Sequence, residues 1–136
     1  MDKTDIVSKF SLNKTQVDKL DFYLSSIIKH NKHTNLVGKS TIEHIWDRHV
    51  LDCLQLTKHI VNKKFKILDL GTGAGLPGVL LSIIGYQKVL MMDSVKKKTD
   101  FVKKIIQELS LSAKIQNKRI ENPPTSQHDI IVSRAL

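Results

Sequence analysis

The sequence predicts an α/β fold, in which a parallel β-sheet with flanking helices follows an N-terminal helical segment. Two observations lead to this fold class. Residues 1–62 carry apolar side chains at helical spacing, whereas from residue 63 onward short apolar runs alternate with amphipathic helical runs. Strands that alternate with helices form parallel sheets with right-handed crossovers. We therefore predict a helical cap over residues 1–62 and an α/β domain over residues 63–136.

The first long helix of the cap is predicted to run to about His30. Asn13 or Ser11 can cap its N-terminus, because their side-chain oxygens can accept a hydrogen bond from the first turn. Its apolar face has helical spacing and consists of Val17, Leu20, Leu24, Ile27 and Ile28. This regular face predicts a helix that packs against the core.

The α/β part is predicted to contain four strands and two intervening helices. The strands are Phe65–Leu70, Lys88–Met92, Ala113–Asn117 and Asp129–Ser133, and the helices are Pro77–Ile84 and Lys96–Leu109. We expect Ser94 to cap the second of these helices. A buried fourth strand should lead into another helix, because folded proteins cover a free sheet edge. The sheet is therefore expected to be incomplete at the C-terminus, as in a fragment, a truncated product or half of an assembly.

Four of the six glycines lie within eight residues, directly after the first predicted strand. They are Gly71, Gly73, Gly75 and Gly78. Glycine lacks a Cβ atom, so this loop can turn sharply and let a ligand lie against the backbone. A glycine loop between a strand and a helix, at the carboxyl end of a parallel strand, predicts a nucleotide-type binding site.

The glycine loop matches the patterns of two cofactor classes. Gly73–Gly78 reads G-x-G-x-x-G, the dinucleotide fingerprint. Asp69–Gly75 reads D-x-G-x-G-x-G, the pattern of S-adenosylmethionine (SAM) methyltransferases. The predicted strand ends at Leu70, so the turn begins at Gly71, whereas the dinucleotide pattern needs its first glycine to open the turn. Asp69, at the strand tip, also suits the cationic amino-acid end of SAM.

A second acid, Asp93, follows the next predicted strand. It can accept hydrogen bonds from ribose hydroxyls, which both cofactor classes carry, so it does not separate them. The loop thus favours SAM. An NAD-binding half-domain and a glycine turn without a ligand are the alternatives.

The composition limits the function classes. The 136 residues carry a net charge of +9, from 22 Lys and Arg against 13 Asp and Glu. This excess favours a polyanion, either nucleic acid or an anionic membrane surface, unless it reflects a lysine-rich genome. No apolar run approaches the roughly 20 residues of a membrane span. A lone cysteine, Cys53, fits a reducing cytoplasm, and the histidines form no metal-binding pattern with it, so we expect no metal site.

Five short matches extend over essentially the whole chain. They are Asn35-Leu36, Arg48–Leu54 (RHVLDCL), Leu68–Gly78 (LDLGTGAGLPG), Asp93-Ser94 with Lys97, Lys98 and Phe101, and Arg119–Glu121 followed by Ser133–Ala135. Together they resemble the bacterial small-subunit rRNA guanine-N7 methyltransferases, the RsmG or GidB family, whose RHxLDSL segment has serine where this chain has Cys53. The glycine stretch alone would indicate only a methyltransferase. The family normally continues for another third of its length.

This resemblance implies a SAM-dependent, Rossmann-like methyltransferase that acts on N7 of a guanine in 16S small-subunit rRNA. The implied cofactor-binding residues are Gly71, Gly73, Gly75, Leu76, Asp93, Ile120, Glu121 and Arg134, and the implied RNA-binding residues are Lys97, Lys98 and Arg119. Ile120 and Glu121 would flank the adenine, whereas Arg134 would reach the methionine end or the target base. The implied partner is 16S rRNA or the small ribosomal subunit in the cytoplasm, without a membrane.

The sequence shows no obvious catalytic pair. Guanine N7 carries a free lone pair, so its methylation requires no general base. A second hypothesis is a truncated, non-catalytic remnant of the family that binds RNA or the cofactor. Methyl transfer itself distinguishes the two hypotheses.

Overall fold

A computed structural model describes residues 1–33, 36–122, 124 and 127–134 of the chain, the side chains of residues 39–41 excepted. Of the family-like motifs, Asn35 and Ala135 lie outside the described residues. Within them, helices precede a parallel sheet whose strands alternate with further helices. The predicted α/β class is confirmed.

The cap begins with two α-helices, α1 (Lys3–Lys9) and α2 (Lys14–His30). Asn13 caps α2, because its side chain accepts a hydrogen bond of 2.8 Å from the backbone N–H of Gln16. Asn13 was one of the two predicted caps. The sequence prediction missed α1, since this seven-residue helix buries Ile6 but offers too little apolar periodicity to be recognised.

Four short helical segments continue the cap within the described part of the chain. A 3₁₀-helix covers Lys39–His44, a π-helical turn Trp46–Val50, helix α3 Leu51–Leu54 and a second 3₁₀-helix Gln55–Lys58. The π-helical turn buries His49 and Val50. Such turns are rare and occur frequently at functional sites. Here the turn contains the first residues of the RHxLDxL segment, which runs from Arg48 to Leu54.

Among the described residues, four parallel strands form one sheet in the order β3-β2-β1-β4. They are β1 (Lys66–Leu70), β2 (Lys88–Asp93), β3 (Lys114–Asn117) and β4 (Ile130–Val132). Each bound lies within one residue of its prediction. In this register Asp69 pairs with Met91 on one side and Val132 on the other. The carboxyl ends of the central strands therefore meet at one edge of the sheet.

Two helices connect the strands, α4 (Gly78–Ile83) and α5 (Lys96–Glu108). The prediction that Ser94 caps α5 is wrong, since the N-cap residue is Val95 and no side chain caps this helix. The backbone N–H of Val95 instead donates to Asp93 Oδ1 at 2.9 Å. This local turn places the N-cap one residue beyond the predicted cap, while the helix begins at Lys96 as predicted.

One hydrophobic core joins the cap to the sheet. Leu20 and Ile27 of α2 belong to it together with Ile67 of β1 and Leu80 of α4, and all four are fully buried. The cap therefore packs directly on the α/β part and can contribute side chains to its edge. The division of the chain at residue 62 stays a prediction.

The two longest helices are amphipathic. α2 spans 17 residues and α5 spans 13, and each buries one face and carries charged side chains on the other. In the part of the chain that the structure describes, no helix is both long and apolar enough to cross a membrane.

Candidate cofactor site

A cleft with a volume of about 930 Å³ opens where the carboxyl edge of the sheet meets the cap. This volume lies within the range that small-molecule sites occupy. Seven of the predicted site residues line it, namely Gly71, Gly73, Leu76, Asp93, Lys98, Ile120 and Arg134. The cap contributes His49, Asp52 and Cys53 to the same lining. The structure thus brings together residues from widely separated parts of the sequence.

The glycine loop begins directly after β1 and crosses over the end of β2. The backbone N–H groups of Gly71 and Thr72 both donate to the carbonyl of Met92, at 2.9 and 3.0 Å. Gly71 and Gly73 have φ angles of +71° and +59°, which glycine adopts without strain. A Cβ atom on Gly73 would meet no other atom within 4 Å. Gly73 therefore presents bare backbone to the cleft.

Gly75 lies behind the loop and does not line the cleft. A Cβ atom on Gly75 would clash with the Val79 side chain and lie 3.1 Å from the Tyr23 hydroxyl oxygen. That hydroxyl donates to the Ala74 carbonyl at 2.8 Å, so helix α2 holds the loop from behind. In the dinucleotide pattern the second glycine must leave room for a pyrophosphate. Protein atoms fill that room here, which favours the SAM pattern over the dinucleotide pattern.

Asp69 lies beneath the loop and is only 1% exposed. Its Oδ2 atom accepts hydrogen bonds from the Thr72 hydroxyl at 2.6 Å and the Gly78 N–H at 2.9 Å. Burial raises the pKa of the Asp69 carboxyl to about 7, although both hydrogen bonds and the Arg134 charge act in the opposite direction. The expectation that Asp69 faces the cationic end of SAM is not met. The loop folds back over the strand tip, so the carboxylate holds the loop instead.

Asp93 joins the end of β2 to the glycine loop. Its Oδ2 accepts a hydrogen bond of 2.8 Å from the Gly73 N–H, and its Oδ1 accepts the bond from Val95. Asp93 also lines the cleft. Each carboxylate oxygen can accept more than one hydrogen bond. Asp93 can therefore hold the loop and accept ribose hydroxyls at the same time.

Arg134 follows β4 at the opposite end of the cleft. Its Nε lies 3.2 Å from Asp52 Oδ2, and its Nη2 lies 3.2 Å from His49 Nδ1. Burial and the Arg134 charge lower the pKa of His49. Both contacts come from the RHxLDxL segment of the cap. They connect the cap to the tip of β4.

Cys53 also lines this end of the cleft, but it is fully buried. Burial raises the pKa of its thiol to about 12. A thiol rather than a thiolate is therefore present at neutral pH, and the thiol is a poor nucleophile. Within the described residues, no group of three or more His, Cys, Asp or Glu side chains is placed to hold a metal ion.

The remaining predicted residues lie on two neighbouring surfaces. Glu121 and Arg119 line a small cavity of about 390 Å³, which shares Ile120 with the cleft. Lys97 lines a groove of about 800 Å³ between α2 and α5. Lys98, the next residue of α5, lines the cleft itself. The predicted RNA-binding residues are thus divided over three adjoining surfaces.

Sequence reasoning missed two residues that shape the cleft, Tyr23 and Asp52. Tyr23 reads as part of the apolar face of α2, and its sequence context gives no sign of the bond to Ala74. Asp52 stands in the RHxLDxL segment, which was a usable signal. Its pairing with Arg134 depends on the fold, because the two residues are far apart in the chain.

The sequence is similar to proteins of one family over most of its length. The profile of the GidB family, described as rRNA small subunit methyltransferase G, matches residues 16–136. Ribosomal RNA small subunit methyltransferase G of Cereibacter sphaeroides is 34% identical over 141 residues, which cover 100% of this chain and 68% of that protein. The Rickettsia prowazekii protein of the same name is 41% identical over 105 residues, or 77% of this chain and 55% of that protein.

Solved structures share the fold at low sequence identity. YcgJ of Bacillus subtilis matches with a TM-score of 0.58 and 23% identity, over 63% of this chain and 38% of that chain. The tRNA (uracil-54, C5)-methyltransferase of Pyrococcus abyssi, solved with S-adenosyl-L-homocysteine, matches with a TM-score of 0.50 and 20% identity, over 62% and 22% of the two chains. These matches confirm the Rossmann-like methyltransferase fold.

Proposed function

The chain belongs to the GidB family of rRNA small subunit methyltransferases, and on this premise we propose that it transfers a methyl group from SAM to N7 of a guanine in 16S rRNA. The observation that carries the proposal is the cleft in which Gly73, Asp93 and Arg134 meet. The fit to SAM rests on the open space at Gly73 and on the carboxylate of Asp93 beside it.

The proposed cofactor position follows the edge of the sheet. Asp93 accepts the ribose hydroxyls while it holds the Gly73 N–H, and Ile120 covers one face of the adenine. Glu121 borders the adenine from the adjoining cavity. Gly71 and Leu76 line the middle of the cleft. All of these contacts use groups that already face the cleft or its rim.

The reaction places few demands on acid–base chemistry. Bound SAM supplies an electrophilic methyl group on a sulfonium. Guanine N7 offers its lone pair without first losing a proton, so no side chain needs to act as a general base. The protein's work is to orient the two reactants and to exclude water. The protonated Cys53 and the neutral form favoured for His49 agree with a site that moves no proton.

The proposed substrate is 16S rRNA or the small ribosomal subunit, reached in the cytoplasm. The net charge of +9 favours association with a polyanion. Lys98 can contact a phosphate at the cleft, while Lys97 and Arg119 extend the basic surface on either side. The target base must leave its stack to reach the cofactor, as in other enzymes that modify bases.

A methyl-transfer assay tests this function. The purified chain is incubated with methyl-labelled SAM and small-subunit rRNA or particles from cells that lack the N7 methylation. We expect label at N7 of a guanine in 16S rRNA, detected by strand cleavage after borohydride and aniline treatment. A matched reaction with large-subunit rRNA should remain unlabelled.

The alternative function predicts a different result in the same assay. A non-catalytic remnant would bind S-adenosylhomocysteine or RNA but transfer no methyl group. A folded chain with this behaviour would contradict the enzymatic proposal. Label at another atom of 16S rRNA would contradict the N7 assignment alone.

A further inference from the structure

We propose that Asp52 and His49 of the cap are positioning residues that fix the Arg134 guanidinium for the carboxylate of SAM. The inference rests on the proposed function, since it assigns one end of the proposed cofactor site. It gives the RHxLDxL segment a task at the cleft in addition to its packing on the sheet. Neither residue is proposed to touch the reacting atoms.

The strand order determines which end of the cofactor reaches Arg134. β2 lies on one side of β1 and β4 on the other. Asp93, at the end of β2, is the ribose acceptor, and Ile120 lies beyond it after β3. The amino-acid end of SAM then points along the edge towards β4, where Arg134 lies.

The chemistry of that end selects one partner for Arg134. The sulfonium and the ammonium of SAM are cationic, and the carboxylate is its anionic group. A guanidinium carries five N–H donors and no acceptor, and it binds carboxylates through parallel hydrogen bonds. Arg134 therefore suits the carboxylate and would repel the other two charged groups.

The two cap contacts fix the plane of the guanidinium. Asp52 faces Nε and His49 faces Nη2, each at 3.2 Å. Because arginine only donates hydrogen bonds, Nδ1 of His49 must be the acceptor and must lack a proton. Two N–H groups thereby have partners from the cap, and the guanidinium keeps further donors for a ligand. A long side chain held in this way loses less rotamer entropy when the ligand binds.

The solvent exposure of the Arg134–Asp52 ion pair argues against a purely structural role for this pair. The Arg134 and Asp52 side chains are 28% and 56% exposed. Ion pairs this exposed contribute little to folding stability. Alignment of a binding group is a role that such a pair can fulfil without a large effect on the fold.

Isothermal titration of Asp52→Asn with two ligands tests the inference. S-adenosylhomocysteine carries the amino-acid end, and 5′-methylthioadenosine lacks it. The substitution removes the charge opposite Nε but keeps the shape, so the Arg134 side chain must become ordered when the ligand binds. We therefore expect affinity for S-adenosylhomocysteine to fall by up to about tenfold, the cost of ordering one long side chain. Affinity for 5′-methylthioadenosine should not change.

A conservative pair of variants tests His49 separately. His49→Asn keeps an acceptor near the position of Nδ1 and should retain most of the affinity for S-adenosylhomocysteine. His49→Ala removes the acceptor and should weaken that affinity. Asp21→Asn is the matched control, because Asp21 pairs with Lys3 at 2.9 Å in the cap and does not line the cleft. It should bind both ligands as the unmodified chain does.

The outcomes separate this inference from the proposed function. If the unmodified chain and Asp52→Asn bind both ligands with equal affinity, the positioning role is wrong, but the proposed cofactor site is supported. A loss of affinity for both ligands by the same factor would indicate a structural role and would also overturn the inference. If the unmodified chain binds neither ligand, the cofactor site fails and the inference fails with it.

Discussion

The two sides of the cofactor cleft are built from different kinds of groups. On the side of β1 and β2, the loop backbone faces the cleft, and Asp69 and Asp93 hold it through hydrogen bonds to its N–H groups. On the side of β4, the charged side chain of Arg134 is held by two side chains of the cap. Asp69, beneath the loop, is buried, whereas the Arg134 and Asp52 side chains are partly exposed. Changes on the loop side should therefore disturb the fold, whereas changes on the arginine side should alter binding alone.

The largest expected effect concerns the charge on Asp69. Its folded pKa of about 7 lies above its ordinary value of 3.8. The folded state therefore binds a proton more tightly than the unfolded state does. The stabilisation from this group is fully present below the unfolded pKa and is lost as pH rises through about 7. Each pKa unit corresponds to about 1.4 kcal/mol, so the free energy of unfolding should change by several kcal/mol.

Urea unfolding of the unmodified chain and of Asp69→Asn, from pH 4 to pH 8, measures this effect. Asparagine keeps the acceptor for Thr72 and Gly78 but cannot ionise. The free energy of unfolding of the unmodified chain, relative to the variant, should fall steadily over this range. A constant difference between the two would show that Asp69 does not titrate there.

Gly75, which is packed against other residues, and Gly73, which faces open space, should respond differently to substitution by alanine. Gly75→Ala would place a methyl group against Val79 and Tyr23, at a φ of +100°. We expect it to lower the free energy of unfolding by about 3 kcal/mol, from overpacking and left-handed backbone strain together. Gly73→Ala is the matched control, because its methyl group would meet open space.

Gly73→Ala retains only the strain of its φ angle, which costs about 1 kcal/mol. Its methyl group would nevertheless occupy the cleft, so it should weaken S-adenosylhomocysteine binding. Equal losses of stability in both variants would contradict the distinction between a packed and an open glycine.

Asp93, unlike Asp52, should affect the binding of both ligands. Asp93→Ala removes the acceptor of the Gly73 N–H and the proposed ribose acceptor together. We expect affinity to fall by about 2 kcal/mol for both S-adenosylhomocysteine and 5′-methylthioadenosine, since both carry the ribose. Isothermal titration measures this loss. A loss confined to S-adenosylhomocysteine would place the ribose elsewhere.

The smallest expected effect concerns the support of the loop by the cap. Tyr23→Phe removes the hydroxyl that donates to the Ala74 carbonyl, and the residue is fully buried. The unpaired carbonyl should cost about 1 kcal/mol of unfolding free energy. Thermal and urea unfolding should show this loss without a change in the cooperativity of the transition. A neutral result would mean that water replaces the hydroxyl.

The strands and the glycine loop could be predicted because their signals are local. An apolar run such as Phe65–Leu70, followed at once by glycines, specifies a strand and a turn without reference to distant residues. The strand ends place Asp93 and Arg134 at one edge as a consequence of parallel pairing. Both residues line the cleft.

The contacts that support the site could not be predicted, because they join distant parts of the chain. Tyr23 reaches Ala74, and Asp52 reaches Arg134, only after the cap has packed on the sheet. Asp69 shows most clearly which feature the sequence alone does not predict. Its position at the strand tip is correct, but the direction of its carboxylate depends on the return path of the loop.

Calorimetric titration of the purified chain with S-adenosylhomocysteine, with NAD as the control ligand, measures whether the cleft is a SAM site. The packing of Tyr23 and Val79 behind Gly75 and the open backbone at Gly73 predict micromolar binding of S-adenosylhomocysteine and no binding of NAD. Binding of NAD, or no heat with S-adenosylhomocysteine from a chain that circular dichroism shows to be folded, would show that the cleft is not a SAM site.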